Sequence, residues 1–88
     1  MLFMTIFTYE PAQRDEVVAK RMEGFDPPEG VKVIGQWSST SGGRAFTLSE
    51  ADNALVMAGW SYEWSGLGKM EVIPVVETQE LMDAMKAK

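Results

Sequence analysis

The first nine residues constrain the fold more than any other part of the chain. In an extended strand successive side chains point to opposite faces, and here both faces carry apolar groups. One set comprises Leu2, Met4 and Ile6, and the other comprises Phe3, Phe7 and Tyr9. Such a strand needs cover on both sides, whereas a chain of 88 residues builds one modest core and usually covers one side only. We therefore expect the second cover to come from another copy of the chain.

The chain contains neither cysteine nor histidine. Their absence excludes disulfides and thiol nucleophiles, and it removes the most common general base and metal ligand. The acidic residues are dispersed, so we expect neither a metal site nor a cofactor. A net charge of −5 argues against a nucleic-acid partner, because binding to phosphates needs clustered Lys and Arg.

No apolar stretch approaches the roughly 20 residues that cross a bilayer. The start also lacks a basic segment followed by a cleavable apolar run. We therefore expect a single domain over residues 1–88 that is soluble and cytoplasmic and has no membrane partner.

The hydrophobic period changes repeatedly along the chain and indicates an order of elements. A strand over residues 1–9 precedes an amphipathic helix over 11–23, which ends at Gly24. Strands over 31–39 and 44–49 follow. Ser49 and Asp52 then have the spacing of a capping box, which predicts a helix that contains Trp60 and Trp64 and ends at Gly66 or Gly68.

The last part of the chain predicts one more strand and a short helix. The strand covers residues 70–76, and Pro74 places it at a sheet edge because proline cannot donate to a strand ladder. Thr78 is the predicted cap of the final helix. Three apolar residues of that helix are expected to face inward: Leu81, Met82 and Met85.

The second and third strands are joined by a turn rich in Ser, Thr and Gly. A two-residue turn at Ser41 and Gly42 sets a register in which Trp37 lies opposite Phe46. The same register puts Gly35 opposite Leu48 and Gln36 opposite Thr47. We expect the apolar face of this hairpin to pack on the helices. The mixed face, with Ile34, Gln36, Ala45 and Thr47, is then the interface with a second copy.

Strand, helix, strand, strand, helix and strand, followed by a terminal helix, is the order of the α+β ferredoxin-like sandwich. This plan has an antiparallel four-stranded sheet with both main helices on one face. Because its other face is bare, we expect a two-fold homodimer formed sheet to sheet.

Several segments resemble a small bacterial family of uncharacterised domains, a domain of unknown function. They are MLFMTIFTYEP, PPEGVKVIGQW, GRAFTLSEADNAL, the pair Trp60 and Trp64, and MEVIPVVE. The family is similar to the dimeric α/β-barrel, ferredoxin-like group. The resemblance implies that fold and a homodimer, but no reaction. Members often have an aspartate soon after the second tryptophan, where this chain has Ser65 and Gly66.

The dimeric-barrel group includes cofactor-free oxygenases, isomerases and decarboxylases with a pocket between helices and sheet. The resemblance therefore suggests a ligand-binding pocket here. The candidate lining residues are Trp37, Arg44, Glu50, Trp60 and Trp64. In such a pocket we expect Arg44 to act as a carboxylate clamp, Glu50 as a general base or anchor, and Tyr62 as a proton donor, so these three are the catalytic candidates.

Each candidate also has a purely structural interpretation. Three tryptophans fill a small core well, Glu50 complements a helix dipole, and Arg44 pairs with an acid. Three function classes stay open. They are a homodimeric module that binds a small apolar or aromatic carboxylate, a cofactor-independent oxygenase or isomerase, and a protein-interaction subunit.

Overall fold

The structure is a computed structural model that describes residues 1–24 and 26–87. It contains four strands, three α-helices and one short 3-10 helix within this part of the chain. The strands are β1 (Leu2–Thr8), β2 (Val31–Ser38), β3 (Arg44–Ala51) and β4 (Lys69–Val75). The α-helices are α1 (Arg14–Glu23), α2 (Ala54–Tyr62) and α3 (Thr78–Lys86), and the 3-10 helix Pro11–Gln13 leads into α1. Among these elements, no helix has the length and apolar character needed to cross a membrane.

The four strands form one antiparallel sheet in the order β2-β3-β1-β4. The α+β ferredoxin-like order βαββαβ with a C-terminal helix is therefore confirmed. β1 lies in the centre, between β3 and β4, which explains why it needs apolar side chains on both faces. β4 pairs only with β1, so the edge position predicted from Pro74 is also confirmed.

Helices α1 and α2 both pack on one face of the sheet, which we call the covered face. Two clusters of buried side chains form the core there. In one, Phe3 of β1 meets Met57 of α2, and both are 1 % exposed. In the other, Phe7 meets Val17 of α1 and Trp64, which follows α2. The second cluster therefore joins both helical segments to the central strand.

The register predicted for the hairpin of β2 and β3 is confirmed. Trp37 lies opposite Phe46, Gly35 opposite Leu48 and Gln36 opposite Thr47. The turn itself is longer than the predicted two residues, because the strands end at Ser38 and begin at Arg44. Gly42 and Gly43 have φ angles of 81° and 84°, a left-handed conformation that glycine adopts without steric cost. The loop is symmetric about the predicted turn and leaves the register unchanged.

The faces of this hairpin are the reverse of the prediction. Ala45 and Thr47 are buried on the covered face, whereas Phe46 and Leu48 lie on the opposite one, which we call the open face. Phe3 and Phe7 of the central strand and the helical side chains already fill the covered face, so β3 contributes only small side chains to it. The larger apolar residues of the hairpin lie on the side with no helix, and Trp37 is 55 % exposed there.

The predicted start of α2 is also wrong. Ser49 and Glu50 lie inside β3, whose alternating burial continues to Ala51. Asn53 caps the helix instead, and its Oδ1 atom accepts a hydrogen bond of 3.1 Å from the Val56 amide. Asparagine is among the best capping residues, so the strand keeps two more residues and the helix begins later.

Helix α3 forms near its predicted place, but its apolar residues do not face inward. Leu81, Met82 and Met85 are 44 %, 39 % and 59 % exposed, and every described residue of the helix is exposed. Glu77 caps the helix in place of Thr78, because its carboxylate accepts a 3.0 Å hydrogen bond from the Glu80 amide.

Candidate functional site

A cleft lies between the covered face and the two helices α1 and α2. It has a volume of about 40 Å³ and opens to solvent on one side. Its floor is the sheet, with Thr5, Phe7, Ala45, Thr47 and Met70. Its other walls come from the helical segments, with Arg21, Met57, Trp60, Ser61 and Trp64. Most of this lining is apolar, as in small-molecule sites. The volume is well below the roughly 150 Å³ of a cavity that holds benzene, so an aromatic ligand would also occupy the open side of the cleft.

The floor of the cleft carries a hydroxyl group that has no hydrogen-bond partner. Thr5 is 9 % exposed, and its Oγ1 atom is inaccessible and unbonded among the described residues. The Oγ atom of Ser49 on the neighbouring strand β3 is in the same state. A buried polar group without a partner costs about 1–3 kcal/mol, so such groups are uncommon in a core unless they have another role.

Two tryptophans form the aromatic wall. Trp64 is 6 % exposed and meets Phe7 edge to face, with ring centroids 5.7 Å apart and an interplanar angle of 69°. Lys20 of α1 places its Nζ atom 5.1 Å from the centroid of the same indole ring. Trp60 is half-buried beside the Phe3 cluster. Trp64 is therefore fixed in the core, whereas Trp60 keeps a partly accessible ring surface.

Arg21 supplies a positive charge to the lining of the cleft. It lies one helical turn after the buried Val17, so the same side of α1 turns both residues toward the sheet. A guanidinium group binds a carboxylate with two parallel hydrogen bonds. The cleft thus combines an apolar slot, a cation and, buried in its floor, a hydroxyl without a hydrogen-bond partner among the described residues.

The family model that matches this chain describes a domain of unknown function, DUF3303, and the match covers residues 1–88. The chain belongs to the DUF3303 family. This membership confirms the resemblance to a family of uncharacterised domains. No curated protein and no solved structure matches the chain. The likeness to dimeric α/β-barrel proteins stays a prediction.

The structure of this DUF3303 member separates the predicted site residues into two groups. Trp60 and Trp64 line the cleft between helices and sheet, where the sequence placed them. Trp37, Arg44 and Glu50 do not, because they lie on the open face. The reason is the reversal of faces in the hairpin, which moved these three side chains to the other side of the sheet.

The catalytic candidates are also distant from one another. Arg44 and Glu50 lie at opposite ends of β3, and six residues of a strand span about 20 Å. The guanidinium of Arg44 is 5.3 Å from the ring centroid of Phe46, and Glu50 is exposed. Tyr62 is 81 % exposed at the end of α2. The structure does not bring these three residues to one site, and their catalytic roles stay predictions.

Two residues of the DUF3303 cleft escaped the sequence prediction. Thr5 interrupts the apolar positions Phe3 and Phe7 on one side of β1, and a polar residue at a core position was the available signal. Arg21 shares the apolar stripe of α1 with Val17, which was a similar signal. In the described part of the chain, acidic residues do not cluster in threes as a metal site would require.

Proposed function

We propose that this protein is a binding module whose cleft takes a small apolar or aromatic carboxylate. The single observation that supports the proposal is the unbonded hydroxyl of Thr5 on the floor of an otherwise apolar slot. The Oγ1 atom is inaccessible in this structure, so a ligand with a polar atom satisfies the hydroxyl once the side chains above it move aside. The apolar part of the ligand packs against Trp60. Its carboxylate meets Arg21 at the lining of the cleft. The whole chain acts as one domain in this proposal.

The ligand class is tested with two matched probes, benzoate and benzyl alcohol. Both carry one aromatic ring, but only benzoate has a negative charge. Isothermal titration calorimetry should show that benzoate binds at least about tenfold more tightly, because a charge-assisted hydrogen bond to arginine contributes about 1.5–3 kcal/mol. Equal affinities, or no saturable binding of either probe, would contradict the proposal.

Two variants connect the binding to the cleft. Arg21→Gln should remove the preference for benzoate, whereas Arg14→Gln, at an exposed position of the same helix, should leave it unchanged. Thr5→Val should weaken benzoate about five- to tenfold, because it removes a hydrogen-bonding group and keeps the side-chain shape. Binding that survives both cleft variants would place the ligand elsewhere.

We also propose that the protein is a homodimer formed through the open face. Apolar side chains of all four strands share this face without a helix above them. They are Leu2, Met4, Ile6, Trp37, Phe46, Leu48, Ile73 and Val75. Charged residues of both signs surround them, including Lys32 opposite Glu50, so a two-fold contact pairs unlike charges. A cytoplasmic location stays a prediction.

The dimer is tested by sedimentation equilibrium. The wild-type chain should sediment at twice its mass of 9.8 kDa at micromolar concentration. Leu48→Asp places a charge in the middle of the open face and should give a monomer. The control Leu55→Asp changes a residue that is 81 % exposed on α2 and should stay dimeric. A monomeric wild-type chain would overturn the proposed dimer.

A further inference from the structure

We infer that helix α3 is exchanged between the two copies, so that its apolar side packs on the open face of the partner. The inference rests on the proposed homodimer and adds a second element to its interface. It starts from a loosely attached helix, because α3 has no extensive contact with another element among the described residues and all its described side chains are classed as exposed.

A helix of this length does not persist alone in water. Isolated helices shorter than about 12–15 residues are marginal, and α3 has only 9. Its side chains are also sorted by polarity. Leu81 and Met85 are four residues apart on one side with Met82 beside them, while Glu80 and Asp83 lie away from this stripe. Such a pattern indicates a surface that the helix covers. Its own chain covers the stripe only in part, because Leu81, Met82 and Met85 stay 44 %, 39 % and 59 % exposed.

The open face lies next to the start of α3. β4 ends at Val75, and α3 begins at Thr78 after a connection of two residues. An open groove of about 490 Å³ separates the two, lined by Leu2, Val75, Val76 and Glu80 among others. The first turn of the helix thus borders the edge of its own open face, next to the surface that the proposed dimer covers.

An exchanged helix also enlarges the interface. Four strands about 4.8 Å apart, each of about 7 residues, give the sheet a flat footprint of roughly 440 Å². A helix of 9 residues is about 13.5 Å long and 10 Å wide. Each copy contributes one helix and accepts another, so the contact grows where a helix lies beside the contact between the two sheets.

The distribution of charge also favours α3 of a second copy as the element that packs on the open face. The acidic side chains of α3 include Glu80 and Asp83. The open face carries basic groups toward its margins, at Lys32, Arg44 and Lys69, and acidic groups at Glu50 and Glu71. The basic groups outnumber the acidic ones there, so an acidic helix with an apolar stripe fits this face, and a second copy supplies both surfaces.

The test combines a variant with a measurement on the unchanged protein. Leu81→Gln, Met82→Gln and Met85→Gln together should weaken the dimer at least tenfold in sedimentation equilibrium and leave the far-ultraviolet circular dichroism of the sheet unchanged. Leu55→Gln, an equally polar change on α2, should leave the dimer intact. In the wild-type chain, hydrogen exchange at amides 81–87 should slow as the concentration rises through the dissociation constant of the dimer.

A crosslinking experiment identifies the contacted surface. Because the chain lacks cysteine, Met85→Cys gives a single site for a photoreactive maleimide label. Crosslinks to β2 or β3 of an isotopically labelled partner are expected. Crosslinks within one chain, or a dimer that the triple variant does not weaken, would overturn the exchange and leave the dimer intact. A monomeric wild-type protein would overturn both.

Discussion

The two faces of β3 are built from side chains of different size. The covered face carries Ala45, Thr47, Ser49 and Ala51, whereas the open face carries Phe46 and Leu48. On the covered face the large side chains come from the central strand, with Phe3 and Phe7, and from the helical segments, with Val17, Met57 and Trp64, so β3 supplies small groups. The open face of β3 has no helix above it and carries large side chains itself. Side-chain size on β3 thus reports which of its faces lies under the helices.

We predict the largest effect on the free energy of unfolding when one phenylalanine of the covered face is compared with one of the open face. Phe3→Ala should lower the free energy of unfolding by about 3–5 kcal/mol, because Phe3 is 1 % exposed and its removal leaves a cavity. Phe46→Ala should cost about 1 kcal/mol or less in the monomer, since its ring is only half-buried. Urea unfolding at low protein concentration measures both values. Equal losses would show that the two faces are equally packed.

The next prediction compares two glycines. Gly68→Ala should destabilise the protein by about 1–3 kcal/mol, because a Cβ atom there collides with the carbonyl oxygen of Thr8 and lies 2.8 Å from Phe7. Gly59→Ala should stabilise it by about 0.5–1 kcal/mol, since the position has no neighbour within 4 Å and alanine favours helix. Thermal unfolding of the two variants should give midpoints on opposite sides of the wild-type value.

A smaller effect concerns the hydroxyl groups of the covered face. Thr5→Val should raise the free energy of unfolding by about 1 kcal/mol, because the change removes a buried group that has no partner in the described chain. Ser49→Ala should act in the same direction. Chemical denaturation without ligand tests both variants. If Thr5→Val instead destabilises the free protein, its hydroxyl has a bonded partner in solution, and the case for a ligand there is lost.

The smallest effect concerns the outer boundary of the cleft. Lys20→Ala should lower the free energy of unfolding by about 0.5–1 kcal/mol, because its ammonium group lies 5.1 Å from the Trp64 ring centroid. Lys20→Arg should retain most of the interaction. Tryptophan emission during urea unfolding measures the change. An arginine variant as unstable as the alanine variant would contradict a cation–π contact.

The strand order and hairpin register were predictable because they depend on local patterns. The alternating side chains of β1 indicated a strand with two apolar faces, and the spacing of Trp37 and Phe46 about the turn set their pairing. These signals need no knowledge of the tertiary structure. The extension of β3 to Ala51 was not predictable in this way, since Ser49 has the pattern of a cap as well as of a strand.

The candidate site was predictable in part. The cleft lies between helices and sheet as expected, and Trp60 and Trp64 line it. The assignment of Trp37, Arg44 and Glu50 to the same cleft failed because a period of two does not say which side receives the helices. Hydrophobicity alone favours burial of the hairpin face with the larger apolar side chains. In the structure the helices pack instead on the hairpin face with the smaller side chains. The sequence did not identify Thr5 as a site residue, because its candidacy depends on the burial of its hydroxyl group.

The central position of β1 has a consequence for synthesis. This strand is made first of the four, yet one of its two sheet neighbours, β4, is made last of the four. At about 5–20 residues per second, the nascent strand waits on the order of several seconds for that neighbour. During that time both of its apolar faces and one hydrogen-bonding edge are available to other chains. A high concentration of unfinished chains therefore favours aggregation through β1, and a lower expression level should raise the yield of folded chain.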